Sequence, residues 1–340
     1  MCTVAAAAAP CCPIDSSRII TPGIDADIER YHRDGAVCVR GCISTEWLEF
    51  LRAAADELEA SPGPMSERMP GPTSEYFTDL EMAQRLSSFG TFTRQGPCAA
   101  LAGRLMGASK VCALYDQFFR QSWGEHAPVV SEDTTTPYHQ DQPYWSVSGT
   151  QVVSIWAPLD VTPAGAAVGY VAGSHRWREH SPFHFDSGQP YKGTGQPLLP
   201  DIDNGIADGS LRLLRWPDCR PGDAICFSAM VVHGQPPPPP SPRDQHCGGE
   251  TDADTDTQPL VQTAHPPAAA RSDDHDEHGE SGGRQFRRIA TRWTGDDARY
   301  RVRCGEARDV VPSRYFPCTL KEGDEMACAR FPVVWTRPQQ

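Results

Sequence analysis

The apolar positions change period along the chain, and the changes divide it into elements. Ile24 to Arg33 has the spacing of a short helix, stopped by Asp34-Gly35, and Ala36 to Arg40 is a short apolar strand. Ser44 is a suitable N-cap for a second helix that carries Leu48, Leu51, Ala55 and Leu58 on one face and ends before Ser61-Pro62-Gly63-Pro64. Residues 62–75 read as loop, with four Pro and two Gly, and residues 76–109 as two short helices. Val111 to Phe119 is the first core strand, followed by a polar loop from Gln121 to Thr136. Thr150 to Leu159 alternates and is rich in β-branched residues, Ala166 to Val171 is another strand, and Gly173-Ser174-His175 ends it. Residues 178–210 read as an irregular surface excursion. Pro221-Gly222-Asp223 turns the chain into the strongly apolar strand Ala224 to Val232, and Phe286 to Trp293 is the last long strand. Many short strands with Gly/Pro turns after a helical N-terminal third predict a mainly β fold, a jelly roll with flanking N-terminal helices.

Composition changes this picture in one place. The 340 residues carry a net charge of −13, of which residues 236–283 supply −8 through ten Asp/Glu against two Arg. That segment opens with five prolines and is too polar to offset its ordering entropy by burial, so it reads as a low-complexity insert in a single domain spanning 24–340. Its histidines, His246, His265, His275 and His278, belong to a solvated linker on this reading, and residues 1–23 form a flexible leader. The acidic balance disfavours nucleic acid and anionic membrane as partners. The 13 cysteines are odd in number, fall largely in apolar runs and include no C-x-x-C pair, which fits buried free thiols in a reducing compartment. The N-terminus lacks the basic region of a signal peptide, and no apolar run approaches eighteen residues, so the expectation is an intracellular protein.

The candidate chemistry lies in Pro137-Tyr138-His139-Gln140-Asp141-Gln142-Pro143-Tyr144-Trp145. On a strand, His139 and Asp141 project from one face. An imidazole and a carboxylate are two of the three ligands in the 2-His-1-carboxylate triad of non-haem Fe(II) enzymes. His233 ends an apolar strand 94 residues later and offers the second imidazole, and arginines follow on the next strand.

In this order of motifs the sequence resembles the phytanoyl-CoA dioxygenase-like family of Fe(II)/2-oxoglutarate oxygenases over roughly residues 28–305, apart from the insert. The motifs are Asp34-Gly35-Ala36-Val37, His139-Gln140-Asp141, Trp156 with Asp160, Gly173-Ser174-His175-Arg176-Trp177, Gly222-Asp223 leading to His233, and Arg287 to Asp297. The resemblance implies a double-stranded β-helix, cupin-like, with Fe(II) held by His139, Asp141 and His233 as the catalytic centre. It further implies 2-oxoglutarate and O₂ as cosubstrates, and hydroxylation of a small organic molecule with release of succinate and CO₂. Asp141 favours hydroxylation, since related halogenating enzymes have a small residue at the carboxylate position.

The distal carboxylate of 2-oxoglutarate calls for an arginine. The family's spacing falls on Arg287 when the Arg-Arg-Ile run is the anchor, but on Phe286 when Arg292-Trp293 is. Strand alternation sets Arg287 and Arg288 on opposite faces, so one of them serves, with Arg287 favoured. Trp156 and Gln117 complete the expected cosubstrate contacts, Arg120 shares the Gln117 strand, and Tyr144 and Trp145 wall the substrate pocket. His175 is expected to act through neighbours, not as a ligand. Two other readings remain open at this stage: a cupin-type metalloenzyme without 2-oxoglutarate, and a binding protein that keeps the fold without turnover.

Overall fold

The computed structural model describes residues 23–71, 74–124, 136–163, 165–185, 187–235, 284–308 and 318–339. The leader expected before residue 23 and the insert expected at 236–283 lie outside the described residues. In chain order the elements are α1 (Ile24–Asp34), β1 (Ala36–Val39), α2 (Thr45–Ala60), β2 (Glu67–Pro70), β3 (Ser74–Leu80), α3 (Ser87–Gln95), α4 (Cys98–Met106), β4 (Lys110–Trp123), β5 (Val147–Ser148), β6 (Val152–Pro158), β7 (Gly169–Val171), α5 (Ile202–Ala207), β8 (Leu213–Leu214), β9 (Ala224–Ser228), β10 (His233–Gly234), β11 (Arg284–Thr294), β12 (Arg299–Tyr300) and β13 (Val333–Thr336).

The large sheet runs β1-β9-β6-β11-β4-β3-β2, with β13 also paired to β4, and every pairing in it is antiparallel. A smaller sheet, β10-β7-β8, faces it. A two-stranded sheet, β12-β5, completes the set; from β4 onward consecutive strands do not pair with one another in the large sheet, as in a double-stranded β-helix, the mainly β architecture expected from the strand pattern.

The helices cover the outer face of the large sheet. Ser44 caps α2 by accepting from the Trp47 amide, and α2 buries Trp47, Leu48, Leu51, Ala55 and Leu58. These residues join Val111, Phe118, Val153, Ile155, Ile289 and Trp293 from the sheet in one core. The opposite face of the same strands looks into the barrel. Alternation thus gives each strand of β4, β6 and β11 one set of residues for the helices and another for the interior.

Two sequence expectations differ here. Glu67–Pro70, expected as loop, and Ser74–Leu80 are strands ahead of the two short helices, α3 and α4, that 76–109 contains, because Phe77 packs edge-on to Phe118 of β4 and Thr78 Oγ1 donates to the Phe118 carbonyl. Strand pairing overrides a weak local preference in so short a segment. The apolar run Ala224 to Val232 is a strand only to Ser228; it turns there and resumes as β10 in the facing sheet. That change of sheet delivers His233 to the interior.

Candidate metal and cosubstrate site

His139 and His233 lie directly opposite each other in an antiparallel bridge. Each backbone amide donates to the other's carbonyl at 2.9 Å. The residue after His233 is glycine for a steric reason: a Cβ on Gly234 would sit 2.8 Å from the Thr136 carbonyl oxygen and 2.9 Å from Tyr138 Cα.

Asp141 is not on a regular strand, contrary to expectation. Its backbone is helical (φ −71°, ψ −44°) and it begins a 3₁₀ turn, Gln142–Tyr144, whose Gln142 amide donates to the Ala229 carbonyl. The carboxylate still converges with the imidazoles: Asp141 Oδ1 is 3.5 Å from His139 Nε2 and 3.8 Å from His233 Nε2. Gln140 braces this turn, donating through Nε2 to the Met230 and Arg178 carbonyls and accepting from the His180 amide.

The donor chemistry fits a metal ion. His139 Nδ1 lies 2.9 Å from the Pro137 carbonyl and His233 Nδ1 lies 3.1 Å from the Val231 carbonyl. Those acceptors place the ring proton on Nδ1 and leave the Nε2 lone pair of both rings facing Asp141. Burial, reinforced by His139, lowers the His233 pKa to about 4, so its ring is neutral at pH 7, the form that ligates. Burial opposes ionisation of Asp141, but as pH falls and the His233 ring takes up its proton, that charge together with Arg292 outweighs burial and holds the carboxyl well below its ordinary range. Ser154 Oγ donates to Asp141 Oδ2 at 3.3 Å.

The other predicted residues separate by face. Trp156 points inward, edge-on to Phe286 at 6.0 Å. Gln117 bridges β3 and β11: its Nε2 donates to Thr78 Oγ1 and its Oε1 accepts from Arg292 Nη2. Arg287 faces the helices. Its side chain is committed to both oxygens of Asp160 and to Asp56 of α2, so it is turned away from the metal ligands. Arg120, opposite it on β4, likewise pairs outward with Glu59 and Glu75.

Arg288 faces inward among Tyr76, Phe119 and Phe286, with ring centroids 5.1–5.6 Å from its Cζ. Among the described residues no carboxylate pairs with it, and burial lowers its proton affinity, partly offset by Tyr76. Tyr144 and Trp145 part company: the Tyr144 ring lies 6.0 Å from the His139 ring, whereas Trp145 packs behind, against Tyr115. His175 lies over Gly35, where any Cβ would meet its Nδ1 at 2.4 Å, so it fixes the end of α1.

Sequence reasoning missed two arginines in their roles. Arg292 sits on the Arg288 face, 6% exposed, over the Tyr115 ring at 4.6 Å with its Nε unpartnered among the described residues. Arg303 donates to the Trp145, Gln142 and Val147 carbonyls and to Glu179, clamping the turn that carries Asp141. Period-2 alternation from Arg288 already gave the direction of Arg292; nothing local signalled Arg303.

A second cluster, Cys38, Cys219 and Asp223, brings three donor atoms together. Asp223 there accepts from Arg40 and from the Gly41 and Arg220 amides, which makes it a brace for the turn before β9. The described cysteines are all free, most of them buried. No described helix is long and apolar enough to cross a membrane.

Residues 31–237 match the family model described as phytanoyl-CoA dioxygenase (PhyH). No curated protein matches the chain. Among solved structures the fold is similar to SnoN, a non-haem alpha-ketoglutarate-dependent epimerase from nogalamycin biosynthesis (TM-score 0.59, 18% identity, covering 92% of this chain and 98% of SnoN). SnoN is also known in complex with Fe³⁺, alpha-ketoglutarate (2-oxoglutarate) and nogalamycin RO. SnoK, an alpha-ketoglutarate-dependent carbocyclase from the same biosynthesis, aligns with a TM-score of 0.56 at 15% identity over 91% of this chain and 96% of SnoK. EctD from S. alaskensis in its apoform gives 0.53 at 14% identity, covering 88% of this chain and 87% of EctD. At these identities the likeness is one of fold.

Proposed function

The chain belongs to the phytanoyl-CoA dioxygenase (PhyH) family, and on that premise we propose that it is an Fe(II)- and 2-oxoglutarate-dependent dioxygenase that hydroxylates a small organic molecule. The observation that carries this reading is the convergence of His139 Nε2, Asp141 Oδ1 and His233 Nε2, with both Nδ1 atoms engaged by backbone carbonyls. Three protein ligands of this kind leave coordination positions open for small molecules. Bound Fe(II) supplies the oxygen-activating centre that couples decarboxylation of 2-oxoglutarate to succinate and CO₂ with insertion of one O₂-derived oxygen atom into a substrate C–H bond.

The chain's own residues contribute orientation and charge. Asp141 stays ionised and is oriented by Ser154. Arg288 provides a cation without a carboxylate partner, four residues and roughly 13 Å of strand from Arg292 on the same face. It holds the distal carboxylate of 2-oxoglutarate, with Trp156, which pairs with Ala290 between the two arginines, lining the chain and Phe286 closing the far end beyond Arg288. Arg292, kept in place by Gln117 and close enough to Asp141 and His233 to bias their protonation, offers its free Nε–H at the metal end. Buried guanidinium donors in a water-poor pocket bind carboxylates strongly and in a fixed orientation.

Anaerobic titration of the protein with Fe(II) and 2-oxoglutarate tests the assignment. A weak visible charge-transfer band is expected. Arg288→Ala should weaken 2-oxoglutarate binding about 30-fold or more, the loss of a charge-assisted pair of roughly 2 kcal/mol. Arg287→Ala should leave it within about threefold, because its guanidinium is committed to Asp160 and Asp56 on the helix side of the sheet. Absence of the band in metal-replete wild type, together with no O₂-dependent succinate, would overturn the reading. Dependence on Arg287 in place of Arg288 would overturn the choice of arginine.

A further inference from the structure

Beside His139 stands a wall of aromatic rings that the iron and 2-oxoglutarate assignments leave unused. The Phe185 ring is 5.0 Å from the His139 ring and nearly perpendicular to it. Phe185 stacks on Tyr144 at 5.6 Å with 20° between planes, and Phe183 meets Phe185 edge-on at 5.5 Å. Tyr191 closes the far side, edge-on to Tyr144 at 5.6 Å. Three of the rings are tied through hydrogen bonds. Tyr144 Oη donates to the Phe183 carbonyl and accepts from the Phe183 amide, a two-way tie across 39 residues. Phe183 bridges Pro190, and the Tyr191 amide donates to the Pro182 carbonyl.

Phe185 is nevertheless 52% exposed, the only aromatic residue among the exposed large hydrophobics of the described chain. A half-bared ring has unused apolar surface, and ring faces and edges recognise other rings through dispersion and quadrupole contacts. The polar neighbours on this flank are engaged with one another: His184 Nε2 lies 3.2 Å from Glu306 Oε2, which also accepts from the Lys192 amide. An occupant lying on Phe185 touches the imidazole of a proposed metal ligand, which puts its carbon skeleton at the reacting centre and not at a remote docking face.

We propose that Tyr144, Phe183, Phe185 and Tyr191 form the subsite for the substrate that is oxidised, that this subsite takes a flat, uncharged aromatic ring system, and that Phe185 determines its specificity. The inference rests on the iron–2-oxoglutarate reading above and names the substrate class for that site.

The test uses the full chain loaded anaerobically with Fe(II) and 2-oxoglutarate, with 2-naphthol and its saturated analogue decahydro-2-naphthol as probes. Naphthol should bind about tenfold tighter than the saturated alcohol and perturb the charge-transfer band. Phe185→Ala should weaken naphthol about tenfold, and Phe185→Leu, which keeps apolar bulk, should abolish the preference between the two probes. Both variants should form the 2-oxoglutarate band at wild-type affinity, which separates a substrate role from damage to the fold. Equal binding of the two alcohols, or naphthol binding indifferent to Phe185, overturns the proposal. Naphthol fluorescence reads the same contact without the band, so failure of the band sinks the iron–2-oxoglutarate reading alone.

Discussion

At the residue scale the proposed metal site depends on keeping the Asp141 carboxyl ionised and the His233 imidazole neutral in a buried place. His233 carries the clearest pH consequence. Its folded pKa of about 4 lies below the roughly 6.5 of an unfolded histidine, so the unfolded chain takes up its proton first as pH falls. The resulting stability is complete above about pH 6.5 and is lost progressively toward pH 4. Asp141, also depressed, adds a loss of the same sign below the ordinary aspartate range. Chemical denaturation of metal-stripped protein should show stability falling by on the order of 2–3 kcal/mol between pH 7 and 4, and His233→Gln should flatten that slope. Equal slopes in the two proteins would show that His233 is not held neutral. Iron affinity should fall over the same interval, since a protonated imidazole is no ligand.

At the element scale the turn carrying Asp141 has no regular strand behind it and is held from outside. Arg303 is 4% exposed and reaches four acceptors in that turn and at Glu179, while Glu179 is kept ionised against its burial mainly by Arg303. Arg303→Met should cost about 3 kcal/mol, because it leaves three backbone carbonyls without their donor and removes the main counter-charge of Glu179, and should weaken Fe(II) binding measured by isothermal titration. If only the melting temperature moved and iron affinity held, the clamp would be structural but not a positioning device.

The same comparison marks how far the sequence could be read. Apolar runs with β-branched residues announce β4, β6, β9 and β11, and the order of His139, Asp141 and His233 points to the three side chains that converge. What escaped depended on distant partners. Alternation said that Arg287 and Arg288 diverge, but only Asp56 on α2 and Asp160 after β6 decide which one turns outward. Arg303 was invisible for the same reason: its acceptors are carbonyls more than 150 residues away.

At the scale of the whole molecule, the two halves of the proposed metal site come from segments joined by long connections. The chain reaches Gln235, whose amide donates to Thr136, and returns at Arg284, which pairs with Trp123 at the far end of β4. Every contact described for the site is made by residues outside 236–283. Deleting residues 238–282 should therefore leave Fe(II) affinity unchanged within about twofold, since connections at such positions tolerate change. Loss of iron binding in the deletion variant would show that the segment completes the site.

The reciprocal amide–carbonyl pair between His139 and His233 has a further consequence. The separation of the two imidazoles is set by the chain itself, so little reorganisation remains for an incoming ion to drive. A cage built before its occupant arrives has few means of rejecting ions of similar size. Cobalt, nickel, copper and zinc stand above iron in intrinsic affinity for nitrogen and oxygen donors. Selection of iron then rests on which ion the surroundings supply, and zinc is a standing competitor that would occupy the same three atoms without redox chemistry.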